Sequence, residues 1–179
     1  QAKLEGVTAF ILDLRGNPGG LLNQSVKVAS HFLFKGRMVV YTQGRSEDDY
    51  REYRSLYKDS LYKMPVVVII NQYSASASEI VAGALSESGN ALLIGENSYG
   101  KGSVQTIFRV SDGSGVRLTT SKYYTPAGAD ITKNGISPAI EIINDLIKKE
   151  AFTVKSKSIS SDTQLSLKVS SLKRFFEKQ

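Results

Sequence analysis

Apolar residues recur in this chain with two different periods. Three short runs, over 8–14, 65–71 and 91–95, are nearly continuous, the pattern of strands buried on both faces. After the first run, Leu22, Val26, Ala29 and Leu33 recur at helical spacing, flanked by Leu21, Val28 and Phe32, to about Phe34. After the second, Ile80, Val81, Ala84 and Leu85 predict a helix over about 77–88. A short strand is predicted over 38–41. A charged stretch over 45–63 follows it, holding Tyr50, Tyr53, Tyr57 and Tyr62, and reads as an edge cover or a flexible flap. Residues 104–110 and 116–124 predict a hairpin, because Asp112-Gly113-Ser114-Gly115 is strong turn chemistry. Pro126, Gly128, Gly135 and Pro138 punctuate a long loop, and 140–149 then reads as partly helical.

Two of the three apolar strands are followed by helices, and all three end in Gly- or Ser-rich loops. Strands joined by helices run parallel through right-handed crossovers, so their carboxyl-end loops gather on one edge of the sheet. The expected fold class is α/β, with parallel strands joined by helices and a β-hairpin added. Gly19-Gly20, residues 74–78 and residues 99–105 should then be neighbours in space.

Composition changes this picture little. At 179 residues, 41% hydrophobic and 22% charged, the chain has the make-up of one folded domain with a sizeable core. No run approaches the roughly 20 apolar residues that span a bilayer. The absence of cysteine excludes disulfides and thiolate metal sites. Charge is uneven: residues 1–150 hold 17 Lys and Arg against 15 Asp and Glu, whereas 151–179 hold 6 against 2. A basic tail can meet nucleic acid or an anionic membrane. This one lacks interleaved aromatics apart from Phe175-Phe176 and reads as a solvated segment. The chain begins Gln1-Ala2-Lys3 without Met, as a piece of a longer protein would.

Candidate chemistry concentrates in Ser74-Ala75-Ser76-Ala77-Ser78-Glu79-Ile80, between a buried strand and a helix. A serine at a helix N-terminus faces unpaired N–H groups and the positive end of the macrodipole, which suit an oxyanion. The same residues, Ser76-x-x-Glu79, also spell a capping box, in which hydroxyl and carboxylate satisfy orphan donors. A Ser-His-Asp triad needs a histidine, and His31 lies within the first helical pattern, away from these loops. One histidine and no cysteine build no zinc site. Lysine remains as a base. Lys101 stands between Gly100 and Gly102, where close backbone can strip water from the ammonium and favour the neutral amine. Gln105 would hold that amine without adding charge. Spacing alone leaves a solvated loop lysine equally open. Gly95-x-x-x-x-Gly100-Lys101 also matches the start of a phosphate-binding loop, but Gly102 replaces the Ser or Thr, and 104–110 reads as a strand.

Taken together, residues 12–20 (Leu-Asp-Leu-Arg-Gly-Asn-Pro-Gly-Gly), 74–80 and 100–105 (Gly-Lys-Gly-Ser-Val-Gln) resemble the carboxyl-terminal processing, or tail-specific, proteases. Tyr123-Tyr124-Thr125-Pro126-x-Gly128 and Gly135-Ile136-Ser137-Pro138 extend the resemblance, which covers roughly 5–142. It implies a ClpP/crotonase-like core and a serine endopeptidase with a Ser–Lys dyad, acting near the C-termini of protein substrates. By the same resemblance Ser76 is the nucleophile, Lys101 the base and Gln105 the residue that orients it. The resemblance also implies an oxyanion hole formed by the backbone N–H groups of Gly20 and Ala77. No cofactor, metal or nucleic acid is implied. The family's PDZ domain is expected upstream, outside this chain, and the expected setting is the bacterial periplasm or cell envelope. Ala139 stands where the family usually carries an acidic residue. The expected organisation is a catalytic core over 1–145 and a basic extension over 146–179. A non-catalytic, peptide-binding relative on the same fold is the alternative reading, with a nucleotide binder a remote third.

Overall fold

The computed structural model describes residues 6–58, 61–132 and 134–142; the predicted helical stretch beyond 142 and the basic extension lie outside them. Two sheets enclose a central helix. The first is parallel, in the order β1 (Phe10–Asp13), β4 (Val66–Ile70), β5 (Ala91–Gly95), β8 (Ile140–Glu141). The second is antiparallel, in the order β3 (Arg51–Arg54), β2 (Met38–Gly44), β7 (Gly115–Tyr124), β6 (Ser103–Arg109). Helix α1 (Leu22–Ser30) follows β1 and helix α2 (Ala77–Glu87) follows β4.

β4 shows why its sequence does not alternate. Val66, Val68 and Ile70 enter the main core with Ile80, Leu85 and Leu33. Val67 and Ile69 face the other way, into a second cluster with Leu92, Ile94, Ile140 and Ile142. Both faces are covered, so all five positions are apolar. α2 is buried at every position from Ala77 to Leu85, and it packs on α1, β2 and β5. Its Ala82, Gly83 and Ala84 let these neighbours approach on all sides, which accounts for the weak amphipathicity of its sequence.

Three sequence-based expectations change. α1 ends at Ser30, not near Phe34; the Ser30 hydroxyl turns back to Val26 O at 2.6 Å, and the chain leaves through tight turns to Gly36. The charged stretch after β2 is an edge, with β3 as its outermost strand. Its tyrosines fasten it down: Tyr50 packs on Tyr41, Tyr53 on the core, Tyr57 on His31 and Tyr62 on Phe34. Finally, Ile140 and Glu141 are extended, not helical. Bonds such as Ala139 N to Leu93 O and Ile142 N to Gly95 O dock them beside β5.

Candidate active site

The carboxyl ends of β1, β4 and β5 converge as their parallel order requires. Ala75 N donates to Asn17 O at 3.0 Å, and Tyr99 N donates to Ser74 O at 3.0 Å. The serine loop therefore lies between the glycine loop after β1 and the lysine loop after β5.

The three serines of that loop have different fates. Ser74 is buried; its hydroxyl donates to Leu14 O at 2.8 Å and accepts from Asn71 N at 3.0 Å. Ser78 donates to Asn17 O at 3.1 Å. Both stitch the loop to the end of β1. The Ser76 hydroxyl donates to no acceptor among the described residues. Ser76 and Glu79 stand in a capping-box arrangement, but the Glu79 N–H is bonded to the Ser76 carbonyl at 2.9 Å and the Ser76 hydroxyl makes no capping hydrogen bond. Glu79 does complete its half of the box, accepting from Ser76 N at 2.7 Å.

Ser76 is also the only non-glycine residue with positive φ among the described residues, at φ 54° and ψ −115°. A side chain held there costs about 1–3 kcal/mol, and such strain persists where the surroundings over-determine it. A sharp strand-to-helix turn of this kind lifts the serine oxygen clear of the backbone.

Gly19 closes over the turn. At φ +96°, its missing Cβ would sit 2.5 Å from Ala75 O and 2.7 Å from Ala77 N. Only a glycine lets the two backbones approach this closely. Gly20 and Ala77 then line one cleft of about 160 Å³, together with the apolar Leu21, Val28 and Val81. Neither the Gly20 N–H nor the Ala77 N–H has an acceptor among the described residues. Both residues border the cleft next to the serine turn, and free N–H donors that converge on one point are what an oxyanion requires.

Asp13, at the end of β1, and Asn17 make the local bonds at the entry to the glycine loop. The Asp13 carboxylate accepts from Arg15 N at 3.0 Å, Nε at 2.9 Å and Nη2 at 2.6 Å, and Asn17 Oδ1 accepts from Gly19 N at 2.9 Å. The Arg15 guanidinium, bonded to the Asp13 carboxylate, holds its pKa below the usual carboxylate range. A depressed folded-state value stabilises the fold above the unfolded pKa, and that contribution is lost as pH falls through the folded one. The difference in thermal midpoint between the parent and Asp13→Asn should therefore shrink on acidification below the ordinary carboxylate range. A pH scan of both midpoints checks this.

On the far side, Gly102 is buried, and a Cβ on it would meet Thr132 N at 2.5 Å. Lys101 beside it is exposed, contrary to the desolvation its two glycines suggest. The reason is local: the glycine backbone packs inward while the residue between them faces solvent. Gln105 lies on β6, opposite Thr119, just past a slip in the β6–β7 register between Val104 and Gln105. It is exposed too, and neither its amide nor the Lys101 ammonium is bonded within the described residues. The structure thus brings Ser76, Ala77, Gly20 and the Lys101 backbone into one region and places Gln105 further along β6, exposed.

The phosphate-loop reading fails on the same atoms. Gly100 N and Lys101 N, which would have to cradle a phosphate, both donate to the Glu79 carboxylate, at 2.6 and 2.9 Å. An anion already fills the loop, and a strand, β6, follows it in place of the helix that motif needs. His31 ends α1, exposed and packed on Tyr57 at 4.7 Å between ring centroids, away from the serine loop.

Three comparisons bear on this arrangement. Residues 1–142 match the sequence model of peptidase family S41. The chain is 47% identical over 147 residues to the carboxy-terminal-processing protease of Bartonella bacilliformis, covering 82% of this chain and 33% of that one. It is 43% identical over 134 residues to the chloroplastic carboxyl-terminal-processing peptidase 1 of Arabidopsis thaliana, covering 75% and 27%. The chain therefore spans about a third of the length of the curated relatives it matches. Among solved structures, the photosystem II D1 C-terminal processing protease superposes with a TM-score of 0.71 at 40% identity, over 78% of this chain and 36% of that one. A lipoprotein from Streptococcus agalactiae shares the fold at 19% identity, with a TM-score of 0.63 over 83% of this chain and 55% of that one. Shared fold alone specifies no chemistry.

Proposed function

The chain belongs to peptidase family S41, and from that premise we propose that it is the catalytic core of a serine endopeptidase that cuts protein substrates near their C-termini. Ser76 attacks the scissile carbonyl while the neutral Lys101 amine accepts its proton. The tetrahedral oxyanion is held by the N–H groups of Gly20 and Ala77. Collapse expels the amine of the peptide bond, to which Lys101 returns the proton. Water, activated by the same lysine, then releases the acyl group from Ser76. The observation that carries this reading is the Ser76 hydroxyl, uncommitted at a strained turn while Ser74 and Ser78 are both tied to carbonyls.

Lys101 is exposed in the described residues. The water exclusion that favours its neutral form is supplied, in this reading, by bound substrate and by the PDZ domain that the resemblance implies. Gln105 turns toward the amine in that closed arrangement. The partners are polypeptide tails. The periplasm or cell envelope is the proposed setting, with bacterial and chloroplastic relatives supporting a common ancestry of the core.

A serine-directed acylating probe tests the proposal in the full-length polypeptide. The expected result is a single adduct, mapped by mass spectrometry to the peptide that carries Ser76 and lost in Ser76→Ala. Peptide binding without any adduct would instead make the chain a non-catalytic relative, the reading that the exposed Lys101 favours.

A further inference from the structure

We propose that Glu79 is a positioning residue that holds the nucleophile turn and the lysine loop in a fixed relation; the inference rests on the Ser76–Lys101 reading above. Glu79 is fully buried, a costly place for a carboxylate unless it is completely hydrogen-bonded. It is so bonded. Oε2 accepts from Ser76 N at 2.7 Å and from Lys101 N at 2.9 Å. Oε1 accepts from Gly100 N at 2.6 Å and from Ser98 Oγ at 2.6 Å. Ser98 Oγ in turn accepts from Ile136 N at 2.7 Å, so its own proton is directed at Glu79.

Helix capping accounts for one of these four bonds. The other three come from residues 98–101, the loop after β5, and bring it onto the tip of α2. Two backbone nitrogens that share one oxygen lie no more than about 5.6 Å apart, the most that bonds of 2.7 and 2.9 Å allow. The backbones of Ser76 and Lys101 are thereby fixed to each other, although their side chains are not bonded through Glu79. All four donors need acceptors, and only a carboxylate offers two acceptor oxygens. Glutamine in this place would turn an NH2 group toward two of the four donors. The requirement is for the acid, not merely for its size.

The test is steady-state kinetics of Glu79→Gln in the full-length polypeptide, with unfolding followed alongside. A loosened relation between nucleophile and base lowers kcat by about 10- to 100-fold, because small displacements of reacting groups are costly. KM stays within about threefold, since none of the four bonds to Glu79 comes from a residue that lines the Gly20 and Ala77 cleft. If Glu79→Gln does not fold cooperatively, Ser98→Ala, which removes one donor and leaves the carboxylate, replaces it. Its expected effect is a fall in kcat of about 3- to 10-fold at constant KM, the scale of the one hydrogen bond lost to Glu79, while the lost acceptor of Ile136 N is read in the unfolding measurement. The positioning role is overturned by a folded Glu79→Gln with parental kcat. It is equally overturned by losses shared between kcat and KM, or by an unchanged kcat in Ser98→Ala where that variant replaces it. Full turnover by Ser76→Ala in the same assay would overturn the Ser–Lys reading itself, a separate outcome.

Discussion

Ser76→Ala is expected to leave the full-length protein folded and without measurable turnover, a loss on the order of 10⁴-fold or more. The size of the effect follows from the neighbours. Ser74 and Ser78 are two residues away on either side, but each hydroxyl is bonded to a carbonyl at the end of β1 or in the loop beyond it. Neither can turn to the cleft without giving up that bond, which helps to hold the loop against the end of β1. The loss is thus not rescued from within the loop. Lys101→Ala is expected to match it at neutral pH, and the residual rate should climb as a small external base is added. Backbone strain adds a stability signature. At φ 54°, alanine remains as strained as serine, whereas Ser76→Gly relaxes the turn. Ser76→Gly should be equally inactive yet more stable than Ser76→Ala, by about 1 kcal/mol. Denaturant titration of the two variants reads that difference directly, and normal cleavage by either would refute the nucleophile assignment.

Gly19→Ala is expected to damage both stability and rate. Its Cβ would enter backbone, not flexible side chain: Ala75 O at 2.5 Å and Ala77 N at 2.7 Å leave nothing to swing aside. A left-handed φ of +96° adds its own penalty to the overlap. Together they cost on the order of 2–4 kcal/mol. The only relief is for the glycine loop to lift from the helix tip, carrying Gly20 N–H with it. Loss of one oxyanion donor typically costs about 100- to 1000-fold in kcat. Gly16→Ala is the control, because that glycine also has positive φ, 68°, but open space where its Cβ would be. If Gly19→Ala loses no more activity than Gly16→Ala, the glycine loop is not part of an oxyanion hole.

What could be read beforehand depended on how far each residue's role reached along the chain. β4, α2 and the β6–β7 hairpin are set by periods of a few residues, and their bounds lie close to the expected ones. β3 escaped because Arg-Glu-Tyr-Arg has no apolar alternation; an edge strand with one core contact, through Tyr53, is defined by its backbone pairing to β2. β8 is two residues long, too short to carry any period, and takes its extended form from β5. The site divides in the same way. Ser76 and the glycines stand in short runs that local chemistry and resemblance both single out. Glu79 looked like a cap because its nearest bond is three residues away; its bonds to residues 98–101 are long-range and leave no spacing rule to follow. Lys101 was expected to be shielded from its two glycine neighbours alone, but shielding depends on what covers the loop from outside, which adjacent residues do not encode.

The enclosure of α2 has a further consequence for how the protein fluctuates. Amides wrapped on every side by packed neighbours become accessible only when the fold opens as a whole, whereas the exposed β6–β7 arm can fray by itself. Among the described residues, Ser76 stands at the tip of an enclosed helix and Gln105 on an exposed strand. Breathing of the arm therefore leaves the serine where it stands.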